Sequence, residues 1–149
     1  MNLIDTKGKV IAVDFDGTVV EHKYPEIGNE MMFAFATLKA LQSKGHRLIL
    51  WTYRKGKELD EAVAFCRENG LLFFAVNENY PGETVEGDFS RKINADIFID
   101  DRNVGGFMGW DVIWQTLHPE GGEYAHQLKN KEAHINYKKK KKGWFGFGG

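Results

Sequence analysis

Two aspartates stand two residues apart in the string Asp14-Phe15-Asp16-Gly17-Thr18, directly after the apolar run Val10-Ile11-Ala12-Val13. Side chains alternate along an extended chain, so both carboxylates point to the same side there, and two like charges that close repel each other. A divalent cation is the simplest relief. Gly17 lets the chain turn sharply after the pair, and the Thr18 hydroxyl adds a donor and an acceptor where an anionic ligand could sit. Such an arrangement suits chemistry on a phosphate group.

The elements that must position these groups follow from periodicity. Val10 to Asp14 reads as a strand. Glu30 to Lys44 reads as a helix, with Met31, Phe35, Leu38 and Leu41 on one face and Gly45 as a stop. Leu48 to Thr52 is the next strand. Lys57 to Glu68 is the next helix, with Leu59, Val63 and Cys66 inward and a stop at Asn69-Gly70. Leu71 to Val76 and Ile97 to Asp100 are further strands, and Val112-Ile113-Trp114 is a weaker fifth. Apolar strands alternating with helices predict an α/β fold, a single doubly wound, Rossmann-like sheet of five mainly parallel strands with both faces covered. Ligands of such sheets bind beyond the carboxyl ends of the strands.

That edge is where further polar residues fall. Strands one, two and four finish on Asp14, Thr52 and Asp100-Asp101, and Lys92 shortly precedes the fourth strand in Ser90-Arg91-Lys92-Ile93-Asn94. Acid pair, hydroxyl, lysine and acid pair form an inventory for holding a metal and a phosphate together, because lysine and metal offset phosphate charge while the hydroxyl donates to an oxygen. Taken singly, each residue has a plainer reading. Asp16-Gly17 is a common turn pair, Thr52 an ordinary strand residue and Lys92 a solvated lysine. Asp100-Asp101 could cap the following loop, with Arg102 as a surface partner. Four plain readings would have to coincide in this order, which favours the functional one.

In these residues the sequence resembles the Mg²⁺-dependent phosphatases of the haloacid dehalogenase (HAD) superfamily, matching its four motifs in order from Asp14 to Asp101. It also resembles a group of small bacterial proteins of that superfamily known from Bacteroides, in Leu48 to Thr52 and in Phe98 to Gly106. The resemblance implies that Asp14 is a nucleophile that becomes an aspartyl phosphate, and that Asp16 is the general acid and base. It implies Mg²⁺ held by Asp14, the backbone carbonyl of Asp16 and Asp100, with Asp101 assisting, and phosphoryl oxygens held by Thr52 and Lys92. Mg²⁺ is preferred to Mn²⁺ from oxygen-only ligands and usual availability. Arg54, two residues after Thr52, begins a loop at the active edge, where substrate contact and surface charge are equally open. His22 and Tyr24 lie where the superfamily carries a flap over the site.

Many members insert a cap domain between motifs. Here Val19 to Gly45 holds only a short flap and a helix the fold needs, and Asn77 to Phe89 only a loop, so no cap of substantial size is expected. The site should be open, suited to a phosphate on a bulky molecule or to closure by a second subunit. Glu78, Asn79, Tyr80 and Pro81 could form part of its rim.

Composition narrows the alternatives. The 149 residues, 42% hydrophobic and 28% charged, suit one soluble domain. No apolar run approaches the ~20 residues of a membrane span, and the opening residues lack a signal-peptide apolar stretch, so a cytoplasmic protein is expected. Cys66 is the only cysteine, which excludes an internal disulfide, and its helical neighbours make it a core residue. Without Lys138 to Lys142, 15 basic residues face 21 acids, an acidic body that disfavours broad nucleic-acid binding. Residues 1 to 137 are therefore read as the catalytic domain, with Gly121 to Tyr137 as a terminal helix. The basic and aromatic stretch from Lys138 to Gly149 is read as a loose tail. Two alternatives stay open. One is a polynucleotide 3′-phosphatase-like activity, since such enzymes share the Asp-Asp-Arg string seen in Asp100-Asp101-Arg102. The other is a module that accepts a phosphoryl group, or binds a ligand, without turnover.

Overall fold

Four short strands with almost wholly apolar inner faces pair in parallel, and the computed structural model describes them within residues 8 to 84, 87 and 90 to 120. The strands are β1 (Val10–Val13), β2 (Arg47–Leu50), β3 (Ala75–Val76) and β4 (Ile97–Ile99). The helices are α1 (Ala34–Ser43), α2 (Gly56–Glu68) and α3 (Trp110–Leu117). The sheet order is β3-β2-β1-β4, which puts β1, the strand that leads into Asp14, between two partners.

Alternation splits the sheet into two faces. Ile11 and Val13 stand level with Leu48 and Leu50 on one side and with Ile97 and Ile99 on the other. This face packs against Phe35, Leu38 and Leu41 of α1, Ala62 and Cys66 of α2, and Trp110, Ile113 and Trp114 of α3. The opposite face is a smaller cluster of Ala12, Ile49, Ala75 and Ile93. Among the described residues all three helices thus gather on one face, whereas the doubly wound expectation put helices on both. The segment between β3 and β4, with no helix among its described residues, supplies Ile93 to the other face.

Three elements differ from expectation for identifiable reasons. Val112-Ile113-Trp114, expected as a fifth strand, lies inside α3, where Trp110, Ile113 and Trp114 are buried at spacings of three and one while Val112 stays exposed. A short apolar run is ambiguous between strand and helix, and here the Trp110 to Leu117 period decides it. The expected sheet of five strands has four among the described residues. The first helix starts at Ala34 rather than Glu30, because the Met31 N–H is given to Val19 O (2.8 Å) and Phe33 takes a left-handed φ of 67°. The Glu30 carboxylate instead accepts from the Phe35 N–H at 3.3 Å, satisfying a donor of the first turn. β3 is only Ala75–Val76, since Leu72 points to solvent. The terminal helix and the tail from Lys138 lie outside the described residues.

At the end of the sheet opposite Asp14, a hydrogen-bonded chain joins β1, β2 and α3. The Lys9 N–H must donate, so His46 Nδ1, 3.0 Å away, accepts, and a neutral His46 carries its proton on Nε2. That proton is then given to His118 Nε2 at 2.9 Å, and His118 Nδ1 donates to Glu120 at 3.3 Å. A further proton has no acceptor in this chain. Burial, and secondarily the charge of His118, lowers the His46 pKa below its ordinary 6.5. The unfolded chain therefore takes up protons first as pH falls, so this contribution to stability is full above about 6.5 and is lost below it. Protonation of Asp14 acts in the opposite sense over the same range, so the His46 contribution is read as a difference: between pH 7.5 and 5 the urea midpoint of the wild type should fall relative to that of His46→Asn, which keeps an acceptor for Lys9 but cannot titrate.

Candidate functional site

Parallel register brings the ends of three strands together. The Asp14 N–H donates to Ile99 O (2.9 Å), setting the residue after β1 beside Asp100, and the Trp51 N–H donates to Val13 O (2.8 Å), setting Trp51 level with Asp14 and Thr52 one step beyond it at the same edge. One carboxylate oxygen from each of Asp14, Asp100 and Asp101 lies within 4.8 Å of the other two. Thr18 Oγ1 donates to Asp14 Oδ2 at 3.1 Å. Gly17 adopts a φ of 84°, and a Cβ there would run into the Asp101 carboxylate, so the turn and the close approach both require glycine. The loop is braced from below. Trp110, on the helix that replaces the expected fifth strand, donates its indole N–H to Thr18 O at 2.8 Å in a buried contact.

Burial raises the Asp14 pKa first, and the Asp100 charge and a hydrogen bond with Asp101 add to it, so that against the opposing pull of Thr18 it rises to about 7. Three hard oxygen donors with surplus negative charge match a hard divalent cation, which would reverse that balance. The acidic group could therefore hold a metal ion.

Asp16 has a different partner from Asp14. Arg54 Nε donates to Asp16 Oδ2 at 2.7 Å and Nη2 to Oδ1 at 2.8 Å, a fork that occupies both carboxylate oxygens. The Arg54 side chain is 1% exposed and that of Asp16 12%. The guanidinium also donates to Pro25 O (3.1 Å), Glu26 O (2.7 Å) and Glu58 O (3.3 Å). It lies 5.1 Å from the ring centres of both Phe15 and Tyr24. Arg54 is thus a buried hub between Asp16, the flap and α2, which rules out the surface-charge reading. The flap itself is short, with the Glu21 N–H on Asn29 O (2.7 Å) and the Met31 N–H on Val19 O (2.8 Å).

Asp14, Asp16, Thr52, Arg54 and Asp100 share the wall of a cavity of about 600 Å³ with the flap residues His22 and Tyr24. Thr52 is fixed by its N–H to Asn77 Oδ1 (2.8 Å), and its hydroxyl oxygen accepts from the Arg54 N–H (3.1 Å). Trp51, Tyr53 and Arg102 complete the wall, and none of the three was expected to. Their signal was position: Trp51 and Tyr53 flank Thr52, and Arg102 follows Asp101.

Other expected members stand apart. Lys92 is exposed, with Nζ 5.2 Å from the centre of the Phe98 ring, and it does not line the cavity. Its neighbour Asn94 is tied by its N–H to Asn79 Oδ1 (2.7 Å), and Asn79 is gripped in turn by Glu83 at 2.7 and 2.9 Å. Asn79 thus braces the segment before β4, and none of Glu78, Asn79, Tyr80 and Pro81 lines the cavity. Cys66 is buried in the core, and burial pushes its thiol up to about 12, far from a nucleophile. Among the described residues no helix is long and apolar enough to cross a membrane.

A solved structure of a conserved protein from Bacteroides thetaiotaomicron is similar, with 54% identity and a TM-score of 0.72 over 76% of this chain and 93% of that one. The chain belongs to the same family as that protein. No protein-family model matches the chain, and no curated protein does. That kinship covers about three quarters of the chain and assigns no activity to it.

Two measurements address this geometry. Because Asp14 holds a proton below about pH 7 in the metal-free site, Mg²⁺ affinity should fall by roughly tenfold per pH unit below that value, with proton release on binding in calorimetry. Affinity independent of pH would contradict the buried acidic cluster. Asp16→Asn would leave the Arg54 charge buried without its counterion and should cost about 3 kcal/mol of stability. Added to Arg54→Met, it should cost much less, which a double-mutant cycle in urea resolves.

Proposed function

We propose that the protein is a Mg²⁺-dependent phosphatase of the HAD superfamily that hydrolyses a phosphomonoester through an aspartyl phosphate on Asp14. One observation carries this reading: carboxylate oxygens of Asp14, Asp100 and Asp101 lie within 4.8 Å of one another at the carboxyl ends of parallel strands, with Thr18 on Asp14 and Thr52 in the wall of the same cavity.

In this reading Asp16 first takes a proton from solvent on an oxygen released from Arg54; an Asp14 oxygen then attacks phosphorus, the bond from phosphorus to the leaving oxygen breaks, and Asp16 gives that oxygen its proton. Asp16 then takes a proton from a water whose oxygen attacks the phosphorus, releasing inorganic phosphate and restoring Asp14. Bound among Asp14, Asp100 and Asp101, Mg²⁺ would offset charge on the phosphoryl oxygens. Thr52 offers its hydroxyl to those oxygens, while the buried Thr18 hydroxyl, given to Asp14 and not lining the cavity, orients the nucleophile instead of making the expected phosphate contact. Arg54 orients Asp16, and Asp16 must give up one of its two Arg54 bonds to reach a leaving oxygen. Lys92 serves the phosphate only if its ammonium leaves the Phe98 ring. A cytoplasmic setting is part of the same reading.

Phosphate release from a panel of phosphomonoesters, with and without Mg²⁺, tests it. Release should require the metal, and Asp14→Asn should lower it by roughly a thousandfold or more, as loss of a nucleophile does. Absence of release from every ester with Mg²⁺ bound would instead favour a module that binds or accepts phosphate without turnover.

A further inference from the structure

The cavity is much larger than a phosphate requires. At about 600 Å³ it falls in the middle of the range, about 300 to 1,000 Å³, of pockets that enclose a whole small molecule. Beyond the carboxylates its wall is aromatic and cationic. Trp51 is pinned by its N–H on Val13 O, immediately before Asp14, and packs partly against the Ala12 and Ile49 cluster while also lining the cavity. Tyr53 lines the same cavity with 99% of its surface in solvent. Tyr24, from the flap, is 49% exposed and lies against the Arg54 guanidinium, which fixes one side of the ring and leaves the rest to the cavity. Arg102 begins at a backbone N–H bonded to Asp100 Oδ1 (2.9 Å) and brings a cation to the wall.

Aromatic side chains from two separate loops, beside a positive charge, are what stacks a flat electron-rich ring. The buried cation of the wall is not available to read a sugar, because Arg54 already donates to five acceptor atoms. We propose that the site takes a phosphomonoester whose leaving group carries a planar aromatic ring, of nucleoside monophosphate size, with the ring stacked on Tyr53 and the phosphate at Asp14. The inference rests on the phosphatase reading for the position of the phosphate. A free mononucleotide and a phosphorylated strand end share this chemistry.

The test uses the full chain with Mg²⁺ and compares kcat/KM for adenosine 5′-monophosphate, a 3′-phosphorylated oligonucleotide and glycerol phosphate, which has no ring. The ratio of ring-bearing to ring-free substrate should exceed one. Tyr53→Ala should lower it by about 5-fold to 150-fold, the range one base stacked on an aromatic side chain provides, and Tyr53→Phe should keep it. The better of the two ring-bearing substrates identifies whether the ring arrives free or at a strand end. A ratio near one, or one that Tyr53→Ala leaves unchanged, overturns the inference while the phosphatase reading stands. If no ester is hydrolysed, that reading fails, and equilibrium dialysis of adenosine 5′-monophosphate against Asp14→Asn with and without Tyr53→Ala still decides: weaker binding without the ring upholds the stacking site, and equal binding overturns it.

Discussion

Like charge held at short range is the constraint around which this fold is arranged. Asp14, Asp100 and Asp101 repel one another, and partial burial of Asp14 makes the repulsion costlier than it would be in water. Loops alone would let these groups drift apart. They stay together because β1 and β4 pair in parallel and the ladder continues one step beyond the strands, from the Asp14 N–H to Ile99 O. Behind that pairing stands the apolar face of Ile11, Val13, Leu50 and Ile99 against three helices, and the burial of those side chains is the main term that balances the electrostatic cost.

The second acid is kept out of this crowding. Asp14 and Asp16 are close in sequence, but the chain turns at Gly17, and Arg54 draws the Asp16 carboxylate to itself. One carboxylate therefore remains in an acidic, metal-suited environment, while the other is paired with a buried cation. Without a metal, Asp14 is the carboxyl whose proton is held and Asp16 the one whose charge is compensated, so a cation among Asp14, Asp100 and Asp101 is what would let Asp14 lose its proton.

Much of this was legible in the sequence, and what was not has physical causes. The strands around Val10, Leu48 and Ile97 could be read because apolar runs with sharp polar ends survive any tertiary arrangement, and their ends located Asp14, Thr52 and Asp100. The helix of Trp110 to Leu117 was read as a strand because three adjacent apolar residues carry no period of their own, and only packing against Thr18 and the core selects the helix. Arg54 was undecidable because its burial depends on carbonyls of Pro25 and Glu26, far away in sequence. Lys92 was placed at the site by order along the chain, yet the bracing of Asn94 by Asn79 holds its segment where the ammonium rests on Phe98.

The Arg54 hub also makes the flap and the acid one mechanical unit, and bond strengths indicate which side yields first. The donor is charged in every Arg54 bond, but only toward Asp16 is the acceptor charged as well, and there two parallel bonds act together as a fork. The bonds to Pro25 and Glu26 reach neutral carbonyls one at a time and are the weaker tie. A ligand that displaces Tyr24 from the guanidinium therefore strains the flap carbonyls before it strains the carboxylate. Displacement of the flap need not then disturb the Asp16 carboxylate, although a single arginine holds both.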